Sequence, residues 1–116
     1  MAYDERLADQ VRAVLTGVPG LQEKRMFGGL CFLVHGNMAC GIVKDVLMVR
    51  VGPDAYGAAL TEPHAREMDF TGRPLKGMVY VDSAGVQTPK TLSAWVKRGV
   101  AFAGALPQKR PKGPKR

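Results

Sequence analysis

A chain of 116 residues, 46% hydrophobic and 23% charged, fits one globular domain, and these proportions exclude a collagen, a coiled coil and a wholly disordered chain. The formal net charge is +7, but residues 1 to 106 hold 12 Lys and Arg against 10 Asp and Glu, so +5 of it belongs to the last ten residues. No run approaches the roughly 20 apolar residues of a membrane helix, and charged residues follow Met1 almost at once instead of a signal peptide, so we predict a cytoplasmic protein without membrane contact.

The first predicted element is an amphipathic helix from Asp4 to Thr16. Its apolar residues recur at i, i+4, i+7 and i+8 and form one stripe of Leu7, Val11, Val14 and Leu15. Asp4 is a suitable N-cap, and Gly17 is a suitable stop. The following Val18-Pro19-Gly20 predicts a turn into a strand that begins near Glu23.

Three apolar segments follow between Leu30 and Val51, separated by Gly36-Asn37 and Lys44-Asp45. This arrangement predicts a β-meander with two-residue turns. With Gly36-Asn37 as the first turn, His35 pairs with Met38 and Leu33 with Cys40. Because side chains alternate along a strand, one face would hold Cys31, Leu33, His35, Met38, Cys40, Ile42, Leu47, Val49 and Val51, and the other Leu30, Phe32, Val34, Ala39, Gly41, Val43, Val46, Met48 and Arg50.

Neither predicted face of this meander is polar, whereas an antiparallel sheet usually leaves one face in contact with water. Both faces therefore need cover. The chain's own helices can shield one face, and the other face needs either a further helix or a second subunit. Intramolecular cover and a homodimer through the sheet are both open alternatives on this reasoning.

The segments after the meander are shorter. A brief helix is predicted from Ala55 to Leu60, after the break at Gly52-Pro53-Asp54. A short strand is predicted at Met68-Asp69-Phe70, before a turn at Gly72-Arg73-Pro74. The run from Met78 to Val81 is β-branched and aromatic, which is typical of a strand.

The last predicted element is a helix that begins at Thr88-Pro89, since threonine caps free amides and proline suits the first helical position. Its apolar face holds Leu92, Trp95, Val96, Ala103 and Leu106, and Pro107 ends it. We therefore predict a two-layer α+β domain over residues 1 to 106, in which N- and C-terminal helices pack on an antiparallel sheet. A basic tail rich in Pro and Gly, expected to be flexible, covers residues 107 to 116.

The run Arg25-Met26-Phe27-Gly28-Gly29, the turn His35-Gly36-Asn37-Met38 and the strand end Leu47-Met48-Val49-Arg50-Val51 resemble the N-terminal domain of the TfoX/Sxy competence regulators. The segment from Gly77 to Val81 and the helix around Trp95 fit later parts of the same pattern. The resemblance implies a two-layer α+β domain. Full-length regulators of this kind carry a second, C-terminal domain, whereas this sequence ends in a basic tail, so we expect a standalone domain. The resemblance also implies a family associated with competence-gene regulation and with no established enzyme activity.

Soft metal ligands are limited to Cys31, Cys40, His35 and His64, and their spacing lacks the paired CxxC pattern of zinc sites. The predicted register places both cysteines diagonally on one sheet face, as free core thiols too far apart for a disulfide. The chain has no recognised nucleophile motif and no carboxylate pair on one predicted face. We predict no catalytic residue, no metal and no cofactor; the alternative is a small-ligand-binding protein or an enzyme of unknown reaction.

The predicted function is a non-catalytic regulatory or interaction module that binds another protein or a second copy of itself. The predicted partner surface consists of Phe32, Val34, Met48 and Arg50, which share a face in the predicted register. The tail supplies five cations for nucleic acid, namely Lys109, Arg110, Lys112, Lys115 and Arg116, and Lys90, Lys97 and Arg98 on the last helix extend this set. Because no base-reading motif is present, we expect such binding to be weakly specific.

Overall fold

The computed structural model describes residues 3–26, 28–68 and 77–106. Within these ranges the elements are α1 (Glu5–Leu15), β1 (Leu21–Met26), β2 (Gly29–Val34), β3 (Asn37–Val43), β4 (Val46–Arg50), α2 (Pro53–Leu60), β5 (Ala65–Glu67), β6 (Met78–Val81), a 3-10 helix (Ser83–Val86) and α3 (Pro89–Ala105). The strands form one antiparallel sheet in the order β1-β2-β3-β4-β6-β5.

All three helices pack on the same face of the sheet, which confirms the predicted two-layer α+β class. Burial of apolar surface between the two layers is the main source of stability. The buried residues of this main core include Leu7, Val11 and Leu15 of α1, Ala59 of α2, Leu92, Trp95 and Val96 of α3, and Leu30, Phe32, Ile42, Leu47, Val49, Val79 and Val81 of the strands.

Two predicted boundaries differ from the structure. The first strand begins at Leu21, two residues before the predicted start at Glu23. Helix α2 begins at Pro53, two residues before its predicted start at Ala55. The strand Ala65–Glu67 was not predicted, and Met68, the first residue of the strand predicted at 68–70, follows it as a buried residue. Asp69, Phe70 and the turn predicted at 72–74 lie outside the described residues.

Both long helices begin at the predicted caps. The Asp4 carboxylate accepts hydrogen bonds from the backbone amides of Arg6 (2.9 Å) and Leu7 (3.2 Å). At α3, the Thr88 hydroxyl accepts from the Thr91 amide at 3.1 Å, and the Thr91 side chain accepts from the Thr88 amide in return. These bonds satisfy amides that have no partner inside the helix, so both helix starts are encoded locally.

Helix α3 crosses β3 at very short range. Gly99 and Ala103 are buried against Ala39 of β3, which is itself 0% exposed. A Cβ atom at residue 99 would overlap the carbonyl oxygen of Ala39. The small residues of this crossing therefore set how closely α3 approaches the sheet.

The turn between β2 and β3 is formed by His35 and Gly36, with φ angles of 52° and 84°. Positive φ at both central residues is the type I′ geometry that matches the twist of a hairpin. Val34 therefore pairs with Asn37, and Leu33 with Met38. The predicted turn at Gly36-Asn37 is wrong, because Asn37 already belongs to β3.

A bulge then shifts the pairing by one residue further along the same hairpin. Phe32 pairs with Cys40 while Leu33 pairs with Met38, which leaves Ala39 as an extra residue on β3. The predicted pairing of Leu33 with Cys40 is therefore wrong. A register shift of one residue turns the side chains of a strand to the opposite sheet face. Relative to β4, and to β3 beyond the bulge, the side chains of β2 therefore lie on the opposite face from the predicted one.

The sheet face turned away from the helices is also apolar; we call it the outer sheet face. Its buried residues are Cys31, Leu33, Met48 and Met68, surrounded by the partly buried Met38, Val43, Met78 and Tyr80. Cys31, Met48 and Met68 are 0% exposed in a single chain. Their burial therefore does not require a second subunit.

Candidate functional surfaces

Both cysteines are free and buried, but they lie on opposite faces of the sheet. Cys40 faces the helices, and Cys31 lies on the outer sheet face, so their predicted position on one face is wrong. Burial raises the pKa of Cys31 to about 11, and burial together with the charge of Cys31 raises the pKa of Cys40 to about 12. The thiolate is the nucleophilic and metal-binding form, so both residues are protonated core thiols at neutral pH, as predicted for their chemistry.

The two histidines lie at turns between regular elements. His35 and His64 both adopt left-handed backbone conformations, with φ of 52° and 70°. In the described part of the chain, no three His, Cys, Asp or Glu side chains come together in a way that could hold a metal ion. The set of four soft ligands considered from the sequence is therefore not assembled by the fold.

Among the described residues, no polar or charged residue is buried. One polar atom is shielded nevertheless: the hydroxyl of the partly buried Tyr56 has no hydrogen-bond partner among them. Its burial, followed by the charge of Glu67, raises the pKa of Tyr56. A single hydroxyl with no base or nucleophile in hydrogen-bond contact among the described residues does not make a catalytic site.

The four residues of the predicted partner surface do not share a face. Phe32 is 0% exposed and packs in the main core beneath the helices, and Val34 packs there against Ala39 and Ala103. Met48 lies on the outer sheet face. The Arg50 guanidinium stacks over the Phe102 ring of α3 at 5.3 Å. The bulge in the β2–β3 hairpin is the physical reason that Phe32 and Val34 separate from Met48.

The Arg25–Gly29 motif connects β1 to β2. Arg25 is exposed on β1, and the backbone of Met26 pairs with that of Gly29. Gly28 has a φ of +74°, a conformation that glycine adopts without strain. A Cβ at Gly29 would overlap the carbonyl oxygen of Ile42. The two glycines thus have structural roles in this hairpin, and Phe27 lies outside the described residues.

Helix α3 presents a cationic outer surface, because none of its residues is acidic. Lys90 and Lys97 are exposed and seven residues apart, so they lie on one stripe about 10 Å apart, opposite the buried face. Arg98 is engaged differently: its guanidinium donates to both Glu62 carboxylate oxygens at 2.6 and 3.0 Å and stacks on Trp95 at 4.3 Å. Arg98 is therefore committed to an ion pair. The five tail cations all lie outside the described residues.

Two concave surfaces were not expected from the sequence. A cavity of about 330 Å³ lies between α1 and the N-terminal end of α3, and we call it the α1–α3 cavity. An open groove of about 560 Å³ lies between α2 and α3, lined largely by alanines and ending at the Glu62–Arg98 pair. Their walls come from residues far apart in the chain, so no local sequence pattern indicates them.

A family model described as the TfoX N-terminal domain matches residues 13–103. No curated protein matches the chain. In the described ranges, no helix has both the length and the apolar character needed to span a membrane.

Proposed function

We propose that this chain, which belongs to the TfoX N-terminal domain family, is a non-catalytic regulatory module that acts by binding other macromolecules. In this proposal its main contact is with a protein partner, and α3 with the tail makes an auxiliary contact with nucleic acid. The association of the family with competence regulation supports a role in controlling gene expression.

The observation that carries the proposal is the apolar interior. Acid–base and nucleophilic catalysis both need polar groups held in fixed positions, commonly with perturbed pKa values. In the described ranges no polar or charged residue is buried, and the two buried thiols are protonated at neutral pH because burial raises their pKa values. A fold of this kind supports binding through its surface better than chemistry in its interior.

Nucleic-acid contact is supported by the charge distribution around α3. Lys90 and Lys97 have no carboxylate on their own helix, and the exposed neighbours Ala94 and Ala101 are too small to hinder the approach of a phosphate backbone. Five further cations follow in the last ten residues of the sequence. Such a cationic stripe binds phosphates without reading bases, and its affinity falls with salt.

For the protein partner, the outer sheet face offers a different set from the one predicted. Met38, Val43, Met78 and Tyr80 are partly exposed around its buried centre. Methionine and tyrosine are common in protein interfaces because they provide large contact areas. These four residues replace Phe32 and Val34, which are in the main core, as the proposed contact.

The nucleic-acid contact is tested by fluorescence anisotropy with a short DNA duplex over a series of salt concentrations. Removing one cation that neutralises a phosphate should reduce the slope of log K against log salt by about 0.9. Deleting residues 107–116 should therefore reduce it by up to about 4.5, and replacing Lys90 and Lys97 by glutamine by up to about 1.8. Replacing Lys24 and Lys44, which are exposed cations outside α3, is the matched control and should leave the slope unchanged.

Absence of duplex binding by the intact chain at low salt would refute the nucleic-acid contact. An equal reduction of the slope in the control variant would show that only net charge matters. The protein contact is tested by capture from extract with the intact chain and with a Met38→Lys variant. Gly57→Lys, a change at an exposed α2 position with open space around its Cβ, is the control. A partner retained equally by all three would not bind the outer sheet face.

A further inference from the structure

The α1–α3 cavity has the size and lining of a small-molecule site. Its volume of about 330 Å³ lies at the lower end of the range of ligand pockets, which is about 300 to 1,000 Å³. Ala13 and Val14 of α1 form one wall, and Val86 and Leu92 lie on the other side, near the start of α3. The site is thus mainly apolar and bridges two helices that also pack on each other through the main core.

The polar groups of this cavity define what it can hold. None of its lining residues is charged. A charged ligand would lose part of its hydration there without gaining a counter-charge, which is unfavourable. A neutral occupant avoids this penalty, so the lining selects for an uncharged molecule.

Two neutral polar side chains in the lining are available to a ligand. Gln10 of α1 and Ser93 of α3 line the cavity from different helices, and the side chain of neither makes a hydrogen bond within the described residues. The Thr88 hydroxyl at the same site is already bonded to the Thr91 amide. Gln10 offers a donor and an acceptor, and Ser93 offers a hydroxyl, so together they suit one hydroxyl, amine or amide group.

We propose that the α1–α3 cavity binds a small neutral molecule that is apolar over most of its surface and carries one hydrogen-bonding group, held by Gln10 and Ser93. The site is independent of the lysines of α3 and of the outer sheet face, since it shares no residue with them. Bound there, the ligand contacts α1 and α3 together and stabilises the folded chain in proportion to its occupancy.

N-phenyl-1-naphthylamine is a suitable probe, because it is neutral, largely apolar and has one N–H donor. We expect its fluorescence to rise on binding to the full chain, and the chain's melting temperature to rise with probe concentration. Ala13→Phe fills the cavity from an exposed position and should weaken binding at least about tenfold. Ala94→Phe places the same ring at an exposed α3 position outside the cavity and should leave binding unchanged.

A second variant keeps the test independent of how Ala13→Phe folds. Gln10→Ala with Ser93→Ala removes the polar groups and should weaken binding by about fivefold for each hydrogen bond removed. Absence of probe binding, or equal binding to wild type and both cavity variants, would overturn the proposal. So would light scattering that shows a dimer dissociated by the probe, because the cavity would then hold a side chain of a second copy.

Discussion

Replacing Gly99 by alanine tests whether the stability of the chain depends on the close packing of α3 on β3. In a free helix, alanine is more stable than glycine by about 1 kcal/mol. At residue 99, however, the added Cβ would lie 2.9 Å from the carbonyl carbon of Ala39 and overlap its oxygen. Both backbones belong to regular elements, so neither can rotate away, and α3 must move off the sheet.

The expected magnitude follows from these two opposing effects. Overpacking of a buried site costs about 1 to 3 kcal/mol, and contact with backbone places this site at the upper end. When the gain in helix propensity is subtracted, the free energy of unfolding of Gly99→Ala should be about 2 kcal/mol lower than that of wild type. Gly104→Ala is the matched control on the same helix, because no atom beyond the adjacent residues and the nearby backbone of its own helix lies within 4 Å of its Cβ position. It should be more stable by up to about 1 kcal/mol.

Urea unfolding at pH 7, followed by Trp95 fluorescence and by circular dichroism, measures both free energies. For a chain of this size, about 2 kcal/mol corresponds to a fall in melting temperature of about 8 °C. A Gly99→Ala variant that is as stable as wild type, or more stable, would show that α3 is not packed at its limit on β3. A shift of Gly99→Ala and Gly104→Ala in the same direction would show the same.

Three further changes test the core, an ion pair and the buried thiols. Phe32→Ala should lower the free energy of unfolding by about 3 to 5 kcal/mol, because the ring is fully buried; in urea, a decrease below about 1 kcal/mol would place Phe32 at the surface. Glu23→Gln should cost at most about 1 kcal/mol at pH 7, since the hydrogen bond from Arg12 is at the surface. Hydrogen bonding by Arg12 lowers the pKa of Glu23, so the difference should shrink once pH falls below the ordinary value of 4.5 and vanish below the lowered pKa of the folded chain; acid denaturation curves that remain separated there would contradict it. Folding raises the pKa values of Cys31 and Cys40 above their ordinary value of 9.0, so stability should fall as pH rises above 9. The expected decrease is about 1 kcal/mol per thiol between pH 9 and 10, and a double alanine variant with an equally steep fall would show that other groups cause it.

The helices were predictable because their signals are local. The stripe of Leu7, Val11 and Leu15 and the Asp4 cap lie within a few turns of one helix, and each signal is present in the structure. The Thr88-Pro89 start of α3 is equally local. The apolar character of both sheet faces was also evident from the strands themselves, and each face has a cluster of buried apolar residues.

The partner surface could not be predicted correctly, since it depended on register. Gly36-Asn37 and His35-Gly36 are both plausible two-residue turns, and only pairing across the hairpin distinguishes them. The extra residue Ala39, and not the choice between these two turns, reverses the alternation along β3. No pattern within one strand indicates such a bulge, so the predicted grouping of Phe32 with Met48 had no local signal against it.

By itself, the sequence determined the α+β class, both long helices and their caps, the apolar strands and the family. Each of these depends either on residues that are close together in the chain or on the order of segments along it. Only the tertiary structure decided which face each cysteine occupies, the engagement of Arg98 by Glu62, 36 residues away, and the cavity between α1 and α3. The physical reason is that periodicity identifies an apolar side chain without identifying its neighbour. Neighbours are selected by turn geometry, a bulge and the close approach of Gly99 to Ala39, which act between distant parts of the chain.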